Sequence, residues 1–341
     1  MVLPEVYELL SRNQKRAGRR GRENVTNPHG KADEQEIPMA PLGHRRLVRY
    51  CRYPRLTWRY ARWRYIDNLG PVLAHRFANR TLSDQQSSVL ARVNSDGVAI
   101  TSAQTLLGPD SCFDELMNAV DDLERNHAEA IAGARADFNS NNHKAKAFNF
   151  RLLGDHPLLE PSSVFTRFAL QKPILEIVNS YFGMFTRLRA YNVWHTFVSK
   201  LAPQDSQLWH HDPEDNCILK VFVYLSNVDD DAGPFTYAVG THLKGGLCRK
   251  PRGAGNRSDD KQMAEVVPPE RWVRCTGPKG TIIFADTRGY HKGGFAQERD
   301  RIMYICVFTS QATKYPEMFR RPETISLPEG SAPAFAISGL V

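Results

Sequence analysis

No apolar stretch in the 341-residue sequence approaches the ~20 residues that a helix needs to cross a bilayer. The sequence also lacks a GxGxxG pattern and a P-loop, the glycine-rich turns that cradle phosphates in dinucleotide and nucleoside triphosphate enzymes. No internal repeat is visible. Cysteine is sparse: Cys51, Cys112, Cys217, Cys248, Cys275 and Cys306 are scattered and form no CxxC pair. That spacing argues against a zinc ribbon and against a disulfide framework. The first 24 residues have no signal-peptide apolar core, and their acids argue against a transit peptide, so a cytoplasmic location is expected.

Acid is missing from one stretch altogether. Residues 44–65, HRRLVRYCRYPRLTWRYARWRY, hold eight arginines and six Tyr or Trp and no Asp or Glu. Residues 1–66 carry a net charge of +9, and the remaining 275 carry −1, so the overall +8 belongs to the N-terminal part. Beyond Pro54, Leu56, Tyr60 and Trp63 fall at helical spacing. Two readings stay open for 44–65. It is a patch for an anionic surface or partner, or it is a helix that lays its aromatics on the main domain with its arginines in water.

The rest of the chain divides by texture. Residues 1–43 include a long polar, apolar-poor stretch and are expected to be a disordered tail. Residues 44–80 form the basic, aromatic-rich helical segment. A catalytic domain is expected over 81–315, with a C-terminal extension over 316–341. Within that domain, 83–107 reads as a helix opened by Ser83, a turn at Asp96-Gly97, then a strand. Residues 110–135 and 163–184 read as amphipathic helices. From about 187 onward, RLRAYNVWHTFVSKL, CILKVFVYLSNV, PFTYAV, GTIIFAD and RIMYICVFTSQ are β-branched and aromatic runs bounded by turn residues. Helices followed by strands without intervening helices predict a mainly β domain with flanking helices and an antiparallel sheet. Residues 243–279, rich in Gly, Pro, Arg and Lys, interrupt the strands and are expected to be a loop covering one mouth of a barrel.

Chemistry concentrates at QLWHHDPEDNC, residues 207–217. In a strand positions i and i+2 share a side, so His210 and Asp212 project together while His211 points away. A third ligand is available in GTIIFADTRGYHKGG, where His291 follows a strand-like run and is expected in a turn, with Gly289, Gly293 and Gly294 nearby. Two imidazoles and one carboxylate on one triangular face, with other positions open, suit non-haem Fe(II). Ten residues later Arg301 opens the strand RIMYICVF and heads a row with Met303, Ile305 and Val307. A guanidinium at the head of an inward row is costly unless it meets a carboxylate. A surface ion pair with Glu298 or Asp300 is the other reading of Arg301.

Taken in order, the HxD pair, the acidic turn 229–234, the Val239-Gly240-Thr241-His242 element, His291 and Arg301 resemble the phytanoyl-CoA dioxygenase family of Fe(II)/2-oxoglutarate-dependent oxygenases. The resemblance spans roughly 85–310. It implies a double-stranded β-helix, the cupin-like jelly roll, with the site at one mouth. It implies Fe(II) held by His210, Asp212 and His291, and 2-oxoglutarate held by Arg301, with Tyr224 and, more weakly, Asn192 lining its pocket. It implies O2 as cosubstrate, release of succinate and CO2, and a small-molecule substrate. Trp194 and Trp209 are candidates for the substrate wall or plain core. Arg249 and Arg252, in the basic loop, suggest an anionic or carrier-linked substrate. Two rivals remain: a cupin-type metalloenzyme that uses no 2-oxoglutarate, and a binding protein for nucleic acid or membrane surfaces with a degenerate barrel. Nucleic acid is not the expected partner, because the metal triad is intact.

Overall fold

The computed structural model describes residues 54–78, 80–109, 111–139, 148–247, 251 and 256–338. The expected tail 1–43, the first part of the basic segment, and Arg249, Lys250 and Arg252 lie outside the described residues.

The chain enters through a helix at Pro54–Arg62 and a π-helical turn at Trp63–Asp67. Trp63 is buried, and its indole N–H donates to Asp215 Oδ1 at 2.8 Å and to Ser310 Oγ at 3.0 Å. Arg64 turns inward as well and donates to the carbonyls of Phe182 and Gly183, where a helix ends and a cation is favoured. Trp58, Arg59 and Arg62 face solvent. Tyr60 is half-buried against the same core, so the segment anchors through Tyr60, Trp63 and Arg64 and leaves others exposed. A further helix, Leu69–Phe77, follows.

Helix Asp84–Asp96 begins at a capping box, Ser83 with Gln86. It ends at Gly97, whose φ of 87° belongs to the left-handed region that favours glycine. Val89 and Val93 face the core. Helix Phe113–Asn126 buries Leu116, Met117 and Val120 at the expected spacing, and Ala128–Asn139 continues beyond it. The stretch 163–184 forms two helices, Val164–Ala169 and Lys172–Phe182, the second with Pro in its first turn and Gly183 past its end.

Nine strands are present among the described residues: β1 (Val98–Ser102), β2 (Asn149–Arg151), β3 (Arg187–Thr196), β4 (Leu219–Tyr224), β5 (Phe235–Ala238), β6 (Trp272–Cys275), β7 (Thr281–Asp286), β8 (His291–Lys292) and β9 (Arg301–Thr309). They form a six-stranded sheet, β1-β7-β4-β9-β3-β2, and a three-stranded sheet, β6-β5-β8, with antiparallel pairing throughout. Alternation divides the large sheet's side chains. Leu219, Val221, Val223, Phe284, Tyr304, Cys306 and Phe308 pack in the main core with the helices. Phe222, Tyr224, Ile283, Met303, Ile305 and Val307 share a second core with Phe235, Tyr237 and Cys275 of the small sheet. Burial on both faces explains why β4, β7 and β9 read as nearly continuous apolar runs.

The structure departs from the sequence expectations at four places. β1 stops at Ser102, whose hydroxyl accepts from Thr105 N and caps a short helix, Ala103–Leu107. The 243–279 region is not loop throughout: it contains helix Asp260–Ala264 and strand β6. His291 lies on the two-residue strand β8 rather than in a turn. His210 lies in an isolated bridge, and Asp212 follows in irregular backbone, not on a strand.

Two loops meet at glycine. A side chain at Gly233 (φ 68°) would strike the backbone of Phe295 and Ala296, and one at Gly294 (φ 68°) would strike the carbonyls of Gly233 and Pro234. Each loop fills the space where the other's side chain would be.

Candidate functional site

The His210 and His291 backbones bridge each other, with the amide of each donating to the carbonyl of the other at 2.9 Å. Such a pair places both side chains on one side, and the ring centroids lie 4.3 Å apart. Each imidazole commits its Nδ1 to a backbone carbonyl, His210 to Leu208 at 2.8 Å and His291 to Gly289 at 3.0 Å. With Nδ1–H donated, Nε2 keeps its lone pair, the form a metal requires.

Asp212 is fixed by its backbone. Its amide donates to Thr287 O at 2.8 Å, and Arg288 donates to its carbonyl at 2.7 Å. Its Oδ2 lies 3.6 Å from His291 Nε2 and 2.7 Å from Lys220 Nζ. All three residues are buried, and their ligand atoms lie within 4.8 Å of one another.

Burial lowers both imidazole pKa values, that of His291 to about 4 and that of His210 well below the usual range, with each histidine's neighbouring charges secondary. Burial pushes the Asp212 carboxyl up, but the Lys220 ammonium beside it leads the opposing effects and the group is held low. Two neutral imidazoles and a carboxylate converge, a donor set that suits a divalent iron-type ion.

Arg301 is 1% exposed. Among the described residues its one hydrogen bond is long, from Nη2 to Thr196 Oγ1 at 3.4 Å, and Nε and Nη1 have no partner. Asp300 does not neutralise it, because that carboxylate is taken by Arg135 and by His195 Nε2 at 2.7 Å. A buried guanidinium with two unspent donors fits a ligand carboxylate. It also connects to the triad through side-chain neighbours. The His291 ring is 5.5 Å from Phe235, the Phe235 amide donates to Tyr224 Oη at 3.2 Å, and the Tyr224 hydroxyl interacts electrostatically with Arg301.

The other candidates are placed as follows. Tyr224 is buried and donates to Cys275 O at 2.6 Å. Asn192 donates to Gly154 O at 2.7 Å and accepts from Leu153 N at 3.4 Å, so its amide holds the loop after β2. Trp194 lines a cavity of about 110 Å3. Trp209 is buried against Trp272 and Met263, with its N–H on Asp260, so it packs beneath the helix of the 243–279 region. His211 sets its ring edge-on to Tyr290, and Asp215 anchors Trp63.

Sequence reasoning expects Glu214 at the rim of the site, as a turn residue or outer contact, but missed Arg189 and Lys220; all three line the space that Trp194 walls. Lys220 was findable, since it shares strand parity with Phe222 and Tyr224. Arg189 was not, because a bulge in β3 inverts its parity.

A scan against protein families finds no match, and a search of curated proteins finds none. Solved structures give distant similarities. The epimerase SnoN in complex with Fe3+, alpha ketoglutarate and nogalamycin RO is 19% identical, with 69% of this chain and 87% of that one covered at a TM-score of 0.43. EctD from S. alaskensis with bound Fe is 17% identical, with 72% and 85% covered at a TM-score of 0.45. AviO1 from Streptomyces viridochromogenes Tue57 is 16% identical, with 70% and 100% covered at a TM-score of 0.42. Similarities of this size do not establish a family for the chain.

Proposed function

We propose that the chain is an Fe(II)/2-oxoglutarate-dependent oxygenase that hydroxylates a small molecule, on a double-stranded β-helix of the phytanoyl-CoA dioxygenase type. The observation that carries the reading is the pairing of the His210/Asp212/His291 triad, two neutral imidazoles and a carboxylate, with the buried, under-used guanidinium of Arg301. A cupin-type metal site without 2-oxoglutarate leaves Arg301 unexplained.

His210, Asp212 and His291 would hold the iron, and Arg301 would take the distal carboxylate of 2-oxoglutarate. Bound together, iron and cosubstrate supply the oxidising power: a substrate C–H, O2 and 2-oxoglutarate become C–OH, succinate and CO2. The protein's own contribution is positional. The backbone bridge fixes the two imidazoles, Thr287 and Arg288 fix Asp212, and the Leu208 and Gly289 carbonyls fix the tautomers. Phe222 and Phe235, with ring centroids 4.5 Å apart, contribute apolar surface to the second core beside His291 and limit water near the iron position.

The test is anaerobic reconstitution with Fe(II) and 2-oxoglutarate, followed by O2. Succinate should form slowly without substrate, and Arg301→Ala should abolish it at cosubstrate concentrations that saturate the unmodified protein. Succinate formation indifferent to Arg301, or none at all, removes this reading.

A further inference from the structure

Strand β3 carries a β-bulge. Its pairing with β9 runs Thr196↔Arg301, Trp194↔Met303, Asn192↔Ile305, Ala190↔Val307, then jumps to Leu188↔Phe308, leaving Arg189 unpaired. Plain alternation would put Leu188 on the inner face and Arg189 among the helices. The extra residue reverses this: Leu188 packs in the helix-side core, and Arg189 lines the cavity beside the metal triad.

Three cations and two acids line that cavity: Arg151, Arg189, Lys220, Asp155 and Glu214. Two of the cations already have short partners. Arg151 pairs with Asp155 at 2.7 Å, and Lys220 pairs with the triad's Asp212 at 2.7 Å. Arg189 and Glu214 remain. They approach only to 3.9 Å, beyond hydrogen-bond range, and among the described residues each keeps a buried polar atom without a partner, Nε on the arginine and Oε2 on the acid. Arg189 is 7% exposed, so this is not a solvated surface pair. A buried donor and a buried acceptor side by side, both unspent, are costly unless a ligand completes them.

We propose that Arg189 and Glu214 form the receptor for a small zwitterionic substrate of amino-acid type, its carboxylate on Arg189 and its ammonium on Glu214. Trp194, Ile305, Val307 and Met318 supply an apolar wall for its side chain. The cavity of about 110 Å3 has room for a molecule of amino-acid size. Lys220 lines the cavity and reaches Asp212, so one side chain separates the cavity from the metal triad. The identification of this ligand as the substrate rests on the oxygenase reading; the receptor itself does not.

The test is calorimetric titration of the full chain, anaerobic with Fe(II) and 2-oxoglutarate, with each of the twenty proteinogenic amino acids. For each that binds, the matching acid without the amine and the matching amine without the carboxylate are titrated as well. At least one amino acid with an apolar side chain should bind, and both of its half-charged counterparts should bind at least tenfold more weakly. Glu214→Gln should weaken the amino acid at least tenfold and leave the acid unchanged. Arg189→Gln should weaken both, with Arg189→Lys, which keeps the charge, as the variant if Arg189→Gln does not fold. An acid that binds as tightly as its amino acid and ignores Glu214→Gln would show an anion site only, and no binding by any amino acid would overturn the proposal outright. His210→Ala keeps the two failures apart. Amino-acid binding that survives in it, without succinate formation by the unmodified protein, would sink the oxygenase reading alone; succinate formation without amino-acid binding would sink only the receptor.

Discussion

His210 and His291 are joined through their backbones, amide to carbonyl in both directions at 2.9 Å, while their side chains share one side of the bridge. The scaffold of the pair is therefore independent of the imidazoles. His210→Ala and His291→Ala should fold with an ordinary far-ultraviolet spectrum and lose most of the iron, because two remaining ligands hold Fe(II) poorly. Anaerobic iron analysis of the purified variants decides it; full occupancy in both would mean that the ligands have been misassigned.

Removing one partner of a buried charge pair costs ~3–5 kcal/mol. Arg301→Ala should therefore weaken 2-oxoglutarate by roughly 10²–10³-fold while iron stays bound. Lysine at this position should restore only part of the loss, since it offers a point charge and no fork. Arg299 is the control. It is exposed and pairs with Asp229 and, at 3.8 Å, with Asp231 of the acidic turn, so Arg299→Ala should change cosubstrate affinity little. Equal losses at both positions, measured by titration calorimetry, would place the cosubstrate elsewhere.

Lys220 and a metal ion would both compensate Asp212. Lys220→Met leaves that carboxylate buried without its ammonium, so the metal-free protein should melt lower, by about 5 °C. The same variant should gain more from the metal than the unmodified protein does, because no competing cation is displaced. A smaller metal-induced rise in Tm would show instead that Lys220 assists metal binding.

His195 sits between two carboxylates, Nδ1 to Glu124 at 2.6 Å and Nε2 to Asp300 at 2.7 Å. Burial alone would lower its pKa, but these hydrogen bonds prevail and raise it to about 9. A raised histidine pKa contributes stability that is complete below about 6.5 and is lost as pH climbs through about 9. The loss is at most about 3 kcal/mol by the same linkage. Denaturant unfolding across pH 6–10 should show the decline in the unmodified protein and a flatter profile in His195→Gln. Equal slopes would remove His195 as the source.

Much of the architecture is readable from strand texture. β3, β4, β7 and β9 are long, β-branched and aromatic, and both of their faces are buried. β6 and β8 were missed because four residues and two residues carry too little periodicity to register, and β6 lies in a stretch dense with Pro, Gly and charge. The i, i+2 reading of the HxD pair assumed a strand; His210 lies in an isolated bridge and Asp212 beyond it, yet their ligand atoms converge with that of His291. Arg189 was hidden by the bulge. Parity is the only rule that assigns a strand residue to a face, and one inserted residue inverts it without any compositional sign.

Gly233 and Gly294 impose a different kind of constraint. His291 and Arg301 are ten residues apart, and the connection between them passes through Gly294. Its path is held by two vacant side-chain positions, each occupied by the other loop's backbone. Most close contacts tolerate compensation, because a larger residue on one side can be matched by a smaller one on the other. Glycine has nothing smaller to offer. A change at either position is thus beyond rescue by its opposite number, and the spacing from metal ligand to guanidinium is secured by what both loops leave out.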